Sequence, residues 1–127
     1  MTIASQIHQT SYETDPCDIG IVHLGFGAFH RAHQAVFIDD YMQTSGDLRW
    51  GIAAVNLRGS ESTAFAQHTS NGYLLKTVTP EGDSTLRRVR SHRAFADWTL
   101  DRAGAESLFA RESVHMVTIT VTESGYY

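Results

Sequence analysis

The residues best suited to chemistry stand together at Leu24-Gly25-Phe26-Gly27-Ala28-Phe29-His30-Arg31. An apolar run, Ile19 to Leu24, leads into them, and a helix-forming stretch, Ala28 to Met42, follows. In a dinucleotide-binding turn the first glycine makes the tight strand-to-helix bend. The second lets the backbone approach a pyrophosphate, which rests on the N–H groups at the helix N-terminus. Gly25 and Gly27 take those two roles, with Phe26 and Ala28 completing the turn. His30 stands where a third glycine is common, so the helix is expected to ride farther from the strand or to tilt. Arg31 adds a cation within reach of phosphate. A plain turn that binds nothing has the same spacing.

The second position of interest is the end of the next apolar run, Trp50 to Leu57. A nucleotide-binding unit often carries an acid there for the adenosine ribose. Here Asn56 can hydrogen-bond a ribose hydroxyl, while Arg58 and Ser60 can receive a 2′-phosphate; the first acid is Glu61. Glu123 follows the last β-prone run, Val114 to Val121, at the strand end where open α/β sheets hold ligands. A carboxylate there can pass a proton to or from water. His30 and His33, three apart on one helix, lack a third ligand of good spacing, so no metal is expected. His23, inside an apolar strand, is expected to be a satisfied core residue.

These residues need a frame, and residues 19–68 supply strand, helix, strand, helix, the signature of a parallel sheet with crossover helices. The shorter helix runs from a Ser60 cap to His68. Tyr73–Val78 and Thr85–Val89, separated by Thr79-Pro80-Glu81-Gly82-Asp83, predict an antiparallel hairpin. A helix is expected over 103–111, with Leu108 and Phe109 facing inward. Residues 1–18 are polar and aperiodic and read as an N-terminal arm. The fold class expected is α/β, a doubly wound, mostly parallel sheet with an inserted antiparallel hairpin.

Charge and composition exclude several alternatives. The 14 acids against 10 bases give a net charge of −4, which disfavours nucleic acid and anionic membranes as partners. No apolar run approaches the roughly 18 residues of a membrane span. Neither lysine nor arginine precedes Arg31, and the single cysteine, Cys17, cannot staple the chain. A cytoplasmic, reducing location is expected.

The stretch IVHLGFGAFHRAHQA, residues 21–35, resembles the N-terminal fingerprint of the polyol-specific long-chain dehydrogenases. That family includes mannitol 2-dehydrogenase, arabinitol dehydrogenase and the fructuronate and tagaturonate reductases. WGIAAVNL at 50–57 resembles its second strand, and TITVTESGYY at 118–127 its Thr-Val-Thr-Glu-x-Gly-Tyr segment. The family's own turn lacks the third glycine. The resemblance implies a Rossmann-like fold and a metal-independent oxidoreductase that uses NAD, with NADP left open. Its reaction would interconvert a secondary alcohol and a ketone on a polyol or hexuronate. Gly25, Gly27, Phe29 and Arg31 match the cofactor-binding turn, and Glu123 matches the acid near the nicotinamide.

It also implies that 19–127 is the N-terminal part of a truncated dinucleotide-binding domain, with the substrate domain absent. In the family that second domain carries the catalytic lysine. The sole lysine here, Lys76, falls in the predicted hairpin, so the chain alone is expected to lack turnover. A non-catalytic nucleotide-binding or assembly module that keeps only the fold is the alternative. In a sheet truncated in this way, strand Val114–Val121 would be an open, β-branched edge, and a homo-oligomer through it is expected.

Overall fold

The structure, a computed structural model, describes residues 7–57 and 72–121. In chain order these form β1 (Ile7–Gln9), β2 (Ile19–Leu24), α1 (Ala28–Ala32), α2 (Gln34–Ser45) and β3 (Gly51–Asn56). They continue through β4 (Tyr73–Val78), β5 (Ser84–Val89), β6 (His92–Asp97), α3 (Arg102–Phe109) and β7 (Met116–Ile119). The main sheet has the order β6-β3-β2-β7 and is parallel throughout. A smaller sheet, β1-β5-β4, joins the antiparallel β4–β5 hairpin to a parallel β1.

The central strands are apolar on both faces because both faces are covered. Ile21, Ile52 and Ala54 pack with Phe26, Ala35, Tyr73 and Val89 on one side. Ile19, Val22, Ala53 and Val55 pack with Ala105 and Leu108 of α3 on the other. Strand order reverses at β2, with β3 to one side and β7 to the other. In open α/β sheets such a switch point opens a crevice at the carboxyl ends of the strands, where ligands bind.

Several elements depart from the sequence expectation. The arm expected over 1–18 contains β1, paired with β5 from Ile7↔Leu86 to Gln9↔Arg88. Three residues carry no readable period, and long-range bonds hold this strand. Ser11 N–H donates to Gln43 Oε1 at 2.6 Å, and Arg90 donates to the Thr10 and Tyr12 carbonyl oxygens. The helix expected from Ala28 to Met42 is broken at His33, whose φ of −122° and ψ of −83° leave the helical region. Strand β6 was not expected at all, because His92-Arg93-Ala94-Phe95-Ala96-Asp97 mixes small and charged residues and gains its strand conformation by pairing with β3. A 3₁₀ turn, Leu48–Trp50, precedes β3, which therefore starts at Gly51. The last strand is shorter than Val114–Val121, and Phe109 is exposed while Leu108 is buried. The helix expected from Ser60 to His68 lies outside the described residues.

Candidate functional site

The glycine turn is built by β2 and fixed to β3. Gly25 follows β2 with φ of +110°, a conformation that side-chain-bearing residues rarely adopt, and its N–H donates to Val55 O at 2.7 Å. Phe26 turns inward as the anchor of the loop. It is buried and meets His92 edge-on at 4.8 Å, Phe95 at 5.1 Å and Tyr73 at 6.0 Å. Gly27 caps α1 without any side-chain capping bond, and a Cβ added at Gly25 or Gly27 would meet no atom within 4 Å. The outer side of the turn is therefore open, with backbone as its surface. An extended anion can lie against that backbone, so the turn fits the pyrophosphate of a dinucleotide.

Ala28 and Phe29 stand exposed on the first turn of α1, with the Phe29 ring stacked on His33 at 4.1 Å. His33 Nδ1 bonds to the Phe29 carbonyl at 2.7 Å, a local bond at the helix base. The Arg31 guanidinium lies 5.3 Å from the Phe26 ring centroid, where a cation is attracted by the π face. The Tyr73 hydroxyl donates to Arg31 O at 2.6 Å, and burial pushes its pKa above the ordinary tyrosine value. Tyr73 thus ties the hairpin to the first helix, a role that sequence spacing did not reveal.

At the carboxyl ends of β3 and β6 a second polar group forms. Asn56 Nδ2 donates to Asp97 Oδ2 at 2.9 Å, and Thr99 N–H donates to Asp97 Oδ1 at 2.8 Å. The register Leu24↔Val55 and Asn56↔Asp97 brings Gly25, Asn56 and Asp97 to one edge of the sheet. Asp97 was missed because β6 was missed; the Asp-x-Thr turn closing that segment was the available signal. Arg58, Ser60, Glu61 and Glu123 lie outside the described residues. Lys76 is on β4, in the hairpin as expected.

His23 is buried, and its Nδ1 bonds to Thr118 Oγ1 at 2.7 Å, the satisfied core histidine expected. His30 is buried as well, with its Nε2 at 2.8 Å from His92 Nε2. Among the described residues no helix is long and apolar enough to cross a membrane.

Comparison with known proteins bears on this arrangement. A family model described as "Mannitol dehydrogenase Rossmann domain" matches residues 19–126. D-arabinitol 4-dehydrogenase of Klebsiella pneumoniae is 37% identical over 111 residues, 84% of this chain and 24% of that protein. D-mannonate oxidoreductase of Escherichia coli (strain K12) is 34% identical over 123 residues, 94% of this chain and 25% of that protein. The structure of Pseudomonas fluorescens mannitol 2-dehydrogenase, a ternary complex with NAD and D-mannitol, superposes with a TM-score of 0.82 at 28% identity. That superposition covers 95% of this chain and 25% of the other. The chain thus spans about a quarter of the length of the relatives it matches.

Proposed function

The chain belongs to the mannitol dehydrogenase family, matched over its Rossmann domain, and from that membership we propose that residues 19–127 bind the cofactor of an NAD-dependent polyol or hexuronate dehydrogenase. The observation that carries this reading is the Gly25–Gly27 turn: a positive-φ glycine at the switch point, with open space in front of both glycines. The pyrophosphate would lie on the backbone of Gly25, Phe26, Gly27 and Ala28, flanked by Phe29 and Arg31. Asn56, braced by Asp97, and Arg58 would read the adenosine ribose, and Glu123 would be a proton-relay acid near the nicotinamide. The nicotinamide, when bound, accepts or donates a hydride as a secondary alcohol and a ketone interconvert.

The chain's own share is to bind and orient the cofactor. Its only lysine, Lys76, lies on β4 and is not assigned to catalysis, so the 127 residues alone should not turn over substrate. NAD is the cofactor proposed, because the related complex holds NAD. A cytoplasmic location fits the single cysteine and the acidic charge balance. The deciding experiment is calorimetric titration of the chain with NADH and, separately, NADPH. NADH is expected to bind, without hydride transfer to any polyol; absence of heat with both nucleotides overturns the reading.

A further inference from the structure

Three buried imidazoles meet beside the glycine turn, His23 on β2, His30 on α1 and His92 on β6. The His23 and His30 rings stack with centroids 3.7 Å apart and planes 7° from parallel. His30 Nε2 faces His92 Nε2 at 2.8 Å, and the other nitrogen of each of these two rings, Nδ1, is buried without a hydrogen-bond partner. Such a nitrogen-to-nitrogen bond needs one ring to donate and the other to accept. Two neutral rings of opposite tautomer meet that need, whereas one added proton would make both Nδ1 atoms buried N–H donors with no acceptor. A metal ion does not suit the trio, because His23 presents its ring face to His30 and bonds through its nitrogens to Thr118 and Thr120.

The surroundings act against a proton on these rings. Burial holds His23 low, takes His30 down to about 3 and keeps His92 well below its ordinary value. Mutual repulsion among the rings and the nearby Arg31 cation push His30 and His92 the same way, and only the Gln34 amide of α2 favours charge on His30. From β4 the Tyr73 ring lies 5.8 Å from His92, from β6 Phe95 stacks on it, and Thr118 of β7 and Thr120 just after it face His23. Among the described residues no carboxylate offsets this effect at any of the three rings.

We propose that His23, His30 and His92 are positioning residues that hold the Gly25–Gly27 turn in its dinucleotide-ready form only while all three rings are neutral, so that acid opens the turn. The proposal rests on the dinucleotide reading of that turn. Its geometry is that of a clasp. His30 is the third residue of α1 and pins the helix to the sheet, while His92 also supports Phe26, the anchor of the turn. The helix α1 is only five residues long and is set apart by the break at His33, so it can detach without α2.

The sign follows from linkage. A released ring takes up a proton near pH 6.5, whereas clasped His30 stays neutral down to about 3. The clasp is at full strength above about pH 6.5 and weakens steadily as pH falls below it, by about tenfold per released ring between pH 7.5 and 5.5.

The test uses the ¹⁵N-labelled 127-residue chain. Amide exchange protection at Gly25, Arg31 and His33 should fall about tenfold or more between pH 7.5 and 5.5, while staying below that of Ile52. Imidazole ¹⁵N shifts should show His30 and His92 neutral at pH 5.5 with opposite tautomers. His92→Gln keeps a hydrogen-bonding partner for His30 but cannot titrate, and should shrink the pH dependence of both protection and NADH affinity by about the tenfold share of one ring. Rings that titrate near 6.5 with protection unchanged overturn the proposal, as do turn amides that match Ile52 at every pH. If NADH fails to bind at pH 7.5, the dinucleotide reading falls. The exchange and imidazole data then support or overturn the clasp by themselves.

Discussion

Gly25 and Gly27 are two residues apart and do different work. Gly25 needs its φ of +110°, so a methyl group there strains the backbone although it meets no neighbour. Gly27, at φ −79° and ψ 169°, is in a conformation open to any residue, and its empty surroundings matter only when a ligand fills them. Gly25→Ala should therefore cost about 1–2 kcal/mol of stability in urea unfolding and weaken NADH as well. Gly27→Ala should leave stability within about 0.5 kcal/mol and reduce only the calorimetric affinity for NADH, by tenfold or more. Equal losses of stability in the two variants would show that Gly27 serves the fold and not a ligand. His30 adds a residue-scale lesson: the side chain in the usual glycine position is accommodated because His23 and His92 receive it.

Among the elements, β1 depends most on distant partners. Asp39 of α2 is fully buried and accepts hydrogen bonds from Thr10 Oγ1, the Tyr12 hydroxyl and Arg87 Nη2 of β5. Burial and that bond to Asp39 push the Tyr12 pKa above the ordinary tyrosine value. One carboxylate thus joins the segment after β1, the helix and the hairpin sheet. Asp39→Ala leaves Arg87 with Asp40 but strips Tyr12 and Thr10 of their acceptor. We expect a loss of about 2–3 kcal/mol in the urea midpoint analysis, with the amides of Ile7–Gln9 losing exchange protection first. Unchanged protection in β1 would mean that pairing with β5 alone holds it. The α1–α2 break belongs to the same scale, since it separates the short helix carrying His30 from the longer one carrying Asp39.

At the scale of the molecule, the sheet order β6-β3-β2-β7 puts β7 at an edge among the described residues, with Met116, Val117 and Ile119 all exposed. An apolar edge of this kind pairs readily with another strand. The isolated 127-residue chain is therefore expected to self-associate through β7 in light scattering at high concentration. Ile119→Lys should shift it toward monomer, because a charge on the strand opposes burial against a second copy. A wild-type chain that stays monomeric throughout removes this edge as an assembly surface.

The sequence by itself determined the elements whose residues are chosen by local rules. The double-sided apolar runs of β2 and β3, the glycine junction between β2 and α1, and the Pro-Gly turn of the hairpin were legible because backbone sterics and burial act on those residue types directly. Motifs at 21–35, 50–57 and 118–127 carried the family in the same way. Tertiary structure alone decided β1 and β6, which are strands because β5 and β3 offer them backbone partners. It also decided the break at His33, the Asn56–Asp97 pair and the meeting of His23, His30 and His92. Each of those depends on residues far apart in the chain reaching one place, and pairing across such distances leaves no period or spacing to read.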